Sequence, residues 1–138
     1  MSQENVEVVN QAISAINDRD VDAYLAVCRP DVELINPVAA IEGSNRGEAG
    51  VRSFFDGIRE ATTRFQLEVE RLLPLSDDRV LAFLTLNLET ERGFPQRQPL
   101  TNLYELEGCK LLRIRVFLDR HEALEAVGLS EQDAHADS

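Results

Sequence analysis

Basic residues are scarce in this chain: 14 Lys and Arg stand against 25 Asp and Glu, a formal net charge of -11. A surface of that sign repels phosphate backbones and anionic lipid, so nucleic acid and membrane surfaces are not expected as partners and a neutral or cationic ligand suits the chain better. Cysteine is nearly absent too, and Cys28 and Cys109 alone make no disulfide framework for a domain of 138 residues. The acidic start MSQENVEVVN lacks the basic and apolar stretches of a signal peptide, which predicts a reduced, cytoplasmic protein. No apolar run approaches the roughly 18 residues of a spanning helix. His121 and His135 have no partner at metal-ligand spacing, and Gly43 and Gly47 are not followed by the residues of a phosphate loop, so neither a metal nor a cofactor is expected.

What is present is a clear change of period. Val6, Val9, Ile13 and Ile16 recur at helical spacing after Ser2, which predicts an amphipathic helix over 3–17. Asn17 to Arg19 turn the chain, and Asp20 caps a second helix, DVDAYLAVC, expected to end at Pro30. DVELINP reads as a short strand with Val32, Leu34 and Asn36 on one face. A third helix over 47–62 carries Val51, Phe54, Phe55 and Ile58 as its buried stripe. From residue 65 the period is two, in FQLEVERLL, RVLAFLTLNLE, LTNLYELE and KLLRIRVFL, separated by SDD, RGFPQ and GC turn signals. DRHEALEAVGL predicts a last helix ended by Gly128, and SEQDAHADS a polar, disordered tail. The expected organisation is one domain over 1–129 with the tail at 130–138.

Helices first, then a meander of strands, then a lone helix is an α+β order, with helices covering one face of a curved antiparallel sheet. At this point a resemblance becomes specific. The run VVNQAISAINDRDVDAYLAVCRPDVELINPV, the G…RG…GVRSFF that follows it and the YELEGCKLLRIRVFLD hairpin resemble the SnoaL-like and ketosteroid isomerase-like branch of the nuclear-transport-factor-2-like superfamily. The resemblance implies a cone-shaped α+β barrel with a deep apolar pocket, found as a homodimer.

It also fixes where catalytic groups would stand. In the isomerases of this branch a carboxylate base precedes a Pro-Val pair on the first strand, and that place is taken here by Asn36, before Pro37 and Val38. Their oxyanion-binding tyrosine and protonated acid correspond to Ala12 and Asn102, and the essential aspartate of the branch's epoxide hydrolases corresponds to Val116. A carboxamide has no proton-accepting state near neutral pH, so Asn36 cannot act as a general base. Isomerisation of the steroid type and epoxide hydrolysis are both disfavoured on these positions. Polyketide cyclases of the SnoaL kind place an acid in the last strand, and Asp119, ending RVFLD, is the nearest candidate. Its D-x-x-E spacing to Glu122 equally describes a helix capping box.

The expectation that results is a small, mostly apolar ligand bearing a carbonyl or hydroxyl, held in an internal pocket by Asn36 and Asn102 with Tyr24, Tyr104, Phe55 and Val116 as wall. Both amides interrupt apolar strand faces, and a buried amide needs a partner, whether ligand, neighbouring backbone or water. An enzyme using Asp119 on a polyketide-like substrate and a dimeric interaction scaffold are the alternatives. A three-residue loop, Glu107 to Cys109, is expected in the last hairpin, setting Asn102 opposite Ile114 and Leu100 opposite Val116. Arg113, Arg115 and Phe117 then face outward, where Phe83 and Leu103 predict cover by a second subunit.

Overall fold

The computed structural model describes residues 2–35, 45–76, 78–93 and 95–129. Asn36 and the tail at 130–138 therefore lie outside the described residues. The first helix, α1 (Ser2–Asn17), buries Val9, Ala12, Ile13 and Ile16 along one stripe, as its spacing predicts. Arg19 turns the chain at φ 58°, and Asp20 caps α2 (Val21–Ala26) by accepting a bond from Ala23 N at 3.0 Å. That helix ends two residues short of the expected DVDAYLAVC, because Cys28 already opens a strand, β1 (Cys28–Ile35). Pro30 sits within this strand instead, in the stretch between Cys28 and Glu33 where its pairing is irregular. A residue with no N–H costs little there.

A two-residue strand, β2 (Asn45–Arg46), precedes α3 (Gly47–Ala61), whose Val51, Phe55 and Ile58 are buried. The meander follows as β3 (Arg64–Ser76), β4 (Arg79–Glu89), β5 (Gln96–Glu107) and β6 (Lys110–Phe117), and α4 (Arg120–Ala126) comes last. The six described strands form one sheet in the order β2-β1-β6-β5-β4-β3. Its pairs are antiparallel except β1 with β6, which run parallel.

The period of two gives this sheet two different faces. On the concave face Val32, Leu34, Leu67, Val80, Ala82, Leu84, Leu100, Tyr104 and Ile114 pack with the stripes of α1, α2 and α3 in one apolar cluster. On the convex face Leu73, Leu81, Phe83 and Leu103 form a second cluster with Ala123 and Leu124 of α4. Phe83 and Leu103, expected beneath a second subunit, are thus covered by the chain's own last helix. Gly128, at φ 75°, ends that helix, with Gly128 N bonded to Glu125 O and Leu129 N to Leu124 O, the pattern of a Schellman cap.

The last hairpin departs from expectation in an instructive way. Its loop has two residues, Gly108 and Cys109, since Glu107 pairs with Lys110. Leu106 faces Leu111 but Glu105 faces Arg113, so Leu112 is an extra, bulged residue. Asn102 consequently lies opposite Val116, and Tyr104 opposite Ile114. The expected pairing is off by two residues, and the face of every side chain beyond the bulge survives because two is the strand period. At the other end of the sheet Asn17 pins α1 to β3: its Nδ2 donates to Leu67 O at 2.9 Å and its Oδ1 accepts from Leu67 N at 2.8 Å.

Candidate functional site

The concave positions of the described strands carry no Asp, Glu, His, Lys or Arg. The polar side chains among them are Asn45 on β2, whose Nδ2 donates to Gly50 O, and Gln96, Gln98, Asn102 and Tyr104 on β5. Strand alternation puts Asn102 and Tyr104 side by side on one face, with Ala82 and Val116 as the flanking neighbours of Asn102. Asn102 is 5% exposed and Tyr104 1%. Asn102 Nδ2 donates to Tyr104 Oη at 3.2 Å, while Asn102 Oδ1 is fully buried and has no hydrogen-bond partner among the described residues.

Tyr24 of α2 and Phe55 of α3 stand in the same cluster, their rings 5.4 Å apart and edge to face. Val116 borders it, half-buried. The structure therefore brings together Asn102, Tyr104, Tyr24, Phe55 and Val116 of the residues expected at a pocket. Ala12, which stands where the isomerases carry a tyrosine, is buried in the wall.

Burial dominates the acid–base character of this interior. It pushes the Tyr104 hydroxyl up to about 12, against a small opposing effect of the bond from Asn102. Tyr24 rises well above the usual tyrosine range, through burial first and then its nearness to Tyr104 and Cys28. Cys28 is raised to about 12 by burial, opposed weakly by Lys110. Each of these three groups holds its proton at neutral pH, so they offer hydrogen bonds and do not act as bases. Cys28 lacks the electropositive, accessible setting that makes a thiolate nucleophile; its role here was not legible from a sequence position at a helix end.

Asp119 stands apart. It is exposed at the start of α4, where its Oδ1 accepts from His121 N at 2.8 Å as an N-cap. Cys109, in the hairpin turn, lies against Glu4 Oε2 at 3.2 Å, which raises its thiol. A cleft of about 490 Å³ opens beside that turn, lined by Asp78, Arg79, Glu105 and Glu107 among others, and its mixed charge contrasts with the apolar interior. Among the described residues no group of three or more His, Cys, Asp or Glu could hold a metal ion. No described helix is long and apolar enough to cross a membrane.

With this geometry the sequence can be placed. The SnoaL-like domain family matches residues 9–114. The chain belongs to the SnoaL-like domain family. Solved structures share its fold. TerC co-crystallised with polyporic acid superposes at TM-score 0.76 with 22% identity, over 90% of this chain and 98% of that one. An NTF2-like protein of unknown function from Burkholderia pseudomallei superposes at 0.76 with 18% identity, over 91% and 98%. A Mycobacterium tuberculosis protein in complex with estradiol-17beta-hemisuccinate superposes at 0.72 with 20% identity, over 85% and 95%. At these identities the likeness is one of fold. No curated protein matches the chain at significant sequence similarity.

Proposed function

We propose that this SnoaL-like protein binds a small, mostly apolar molecule inside the cone and anchors its polar group on Asn102 and Tyr104, without proton-abstraction chemistry of the isomerase kind. The observation that carries the proposal is the orphaned Asn102 Oδ1. A buried acceptor left unpaired costs about 1–3 kcal/mol, and a fold selected for stability alone would place an apolar residue between Ala82 and Val116. A guest that supplies the missing bond recovers that cost on binding.

The interior chemistry agrees. Tyr104 and Tyr24 stay neutral, and the concave positions of the described strands hold no carboxylate to act as base. Two of the structurally similar proteins are complexes, with polyporic acid and with estradiol-17beta-hemisuccinate, which supports a guest in this fold. Because Oδ1 is enclosed, binding is coupled to displacement of a neighbouring side chain, and half-buried Val116 is the nearest candidate in the sheet. Asp119 has no part in this reading, since its carboxylate is occupied as a helix cap.

Titration calorimetry with 2-naphthol tests the proposal. Binding to the native protein, weakened about tenfold in Asn102→Leu, is the expected outcome, one buried hydrogen bond being worth roughly that factor. Absence of heat together with an unshifted melting temperature, with native mass spectrometry of freshly purified protein finding no retained molecule, counts against it.

A further inference from the structure

The chemistry of the Asn102–Tyr104 pair narrows the guest further. A tyrosine hydroxyl is one donor and an acceptor, and a carboxamide is an acceptor on one side and a donor on the other. As placed, Asn102 Nδ2 donates to Tyr104 Oη, which leaves Asn102 Oδ1 as an unmet acceptor. Among the described residues Tyr104 Oη bonds to Asn102 alone, so its own proton is an unmet donor. Turning the carboxamide over makes the tyrosine donate to Oδ1, and then the amide N–H and a lone pair of the hydroxyl are unmet instead. Both arrangements leave at least one donor beside an acceptor, the second N–H of the amide adding a further donor.

We infer that this pair is a two-point edge that selects a guest carrying a hydrogen-bond donor and an acceptor side by side, such as a lactam, an enol or a neutral carboxylic acid, over a ketone or an ester; the inference rests on the binding reading above. A ketone satisfies one of the two groups and seals the other in an apolar wall, which is the more costly way to fill the site. A site built to pair both groups therefore discriminates by more than the bond it gains. Burial of the tyrosine hydroxyl, which keeps its proton up to about pH 12, preserves the donor across the physiological range. Ionised carboxylates are poor guests, since no concave position of the described strands supplies a cation to compensate the charge.

Coumarin and 2-quinolinone make the test, because they are nearly the same shape and differ in a ring oxygen replaced by N–H beside the same carbonyl. Naphthalene serves as the apolar control. The expected result is 2-quinolinone binding at least about tenfold more tightly than coumarin, with the ratio collapsing toward one in Asn102→Leu. Tyr104→Phe, which keeps the ring, is expected to reduce the ratio as well, and urea unfolding establishes that each variant is folded. Equal affinity for the two ring systems, both still bound inside the cone and both weakened by Asn102→Leu, overturns the inference and leaves the binding reading intact. Failure of all three probes to bind takes down the binding reading and this inference with it.

Discussion

The two faces of one sheet solve opposite problems. On the convex face charge is paired and shared: Arg113 bridges Glu33 at 3.2 Å and Glu105 at 2.9 Å, Arg46 reaches Glu33 at 3.0 Å, and Arg120 lies 4.6 Å from the centre of the Phe83 ring. The concave positions of the described strands carry no ionisable acid or base charged at neutral pH, and the polar pair at Asn102 and Tyr104 is left half satisfied. The ion pairs of Arg113 and Arg46 with Glu33 and Glu105 need no guest to complete them, although Arg120 Nε, on a side chain that lies over Phe83, is like Asn102 Oδ1 a buried atom that makes no hydrogen bond among the described residues. The concave arrangement gives up stability that a sealed apolar wall would keep, which on the binding reading proposed above is recovered when a guest supplies the missing bond.

The largest expected effects separate the two apolar clusters. Leu84→Ala, in the interior, should lower the unfolding free energy by about 2–5 kcal/mol, read by urea denaturation. Leu124→Ala removes an equally buried side chain from a seven-residue helix, which can detach without unfolding the sheet. Its cost should be smaller, and hydrogen exchange should show lost protection confined to α4 and the strand segments beneath it. Equal global losses for the two variants would mean that the convex cluster is as integral as the interior.

Alkaline pH is the next sharpest probe of the interior. Cys28 and Tyr104 are raised from 9.0 and 10.0 to about 12 in the folded protein, so the unfolded chain gives up these protons first. The stability they represent is intact below pH 9 and is lost between the unfolded values and about 12, at a slope of about 1.4 kcal/mol per pH unit for each group. Urea midpoints measured from pH 8 to 12 should fall accordingly. Cys28→Ala should remove the part of the slope that begins near 9, and Tyr104→Phe the part that begins near 10.

The polar pair invites a mutant cycle. Tyr104→Phe leaves both ends of the Asn102 amide without partners and should destabilise by about 1–3 kcal/mol. The double variant Asn102→Leu/Tyr104→Phe removes all polarity there and should equal or exceed the native protein in stability while losing discrimination among guests. A double variant less stable than either single one would show that the pair is structural. Smallest of all, Arg113→Gln on the convex face should cost less than about 1 kcal/mol and less still in high salt, because Arg113 is an exposed residue whose ion pairs are screened by solvent. Asp119→Ala should cost about 1 kcal/mol through its cap and leave guest binding unchanged.

Much of this was legible in the residues, for reasons that can be named. The boundaries of β4 coincide with the run RVLAFLTLNLE, because the apolar stretch VLAFL passes directly into the alternation TLNLE and turn residues flank both ends. The faces of Asn102, Arg113, Arg115 and Phe117 were readable because parity alone decides them, whereas the pairing partners were not, since a bulge at Leu112 and a longer loop leave the same parity behind. Pro30 misled because proline signals a helix end and an irregular strand with equal force. Covering of Phe83 and Leu103 by α4 is a long-range packing outcome that no local pattern encodes. The grouping of Asn102 with Tyr104 could be read from their spacing of two; the orphaned oxygen could not, because it depends on which neighbours fail to reach it.

The two bonds from Asn17 to Leu67 reach beyond holding a helix in place. β3 is the terminal strand of the sheet, and its outward amide and carbonyl at Leu67 are the kind of groups to which a foreign strand would adhere. One asparagine side chain imitates that foreign strand and uses up both groups at once. Exchange it for leucine, and the border becomes a template on which misassembly can start.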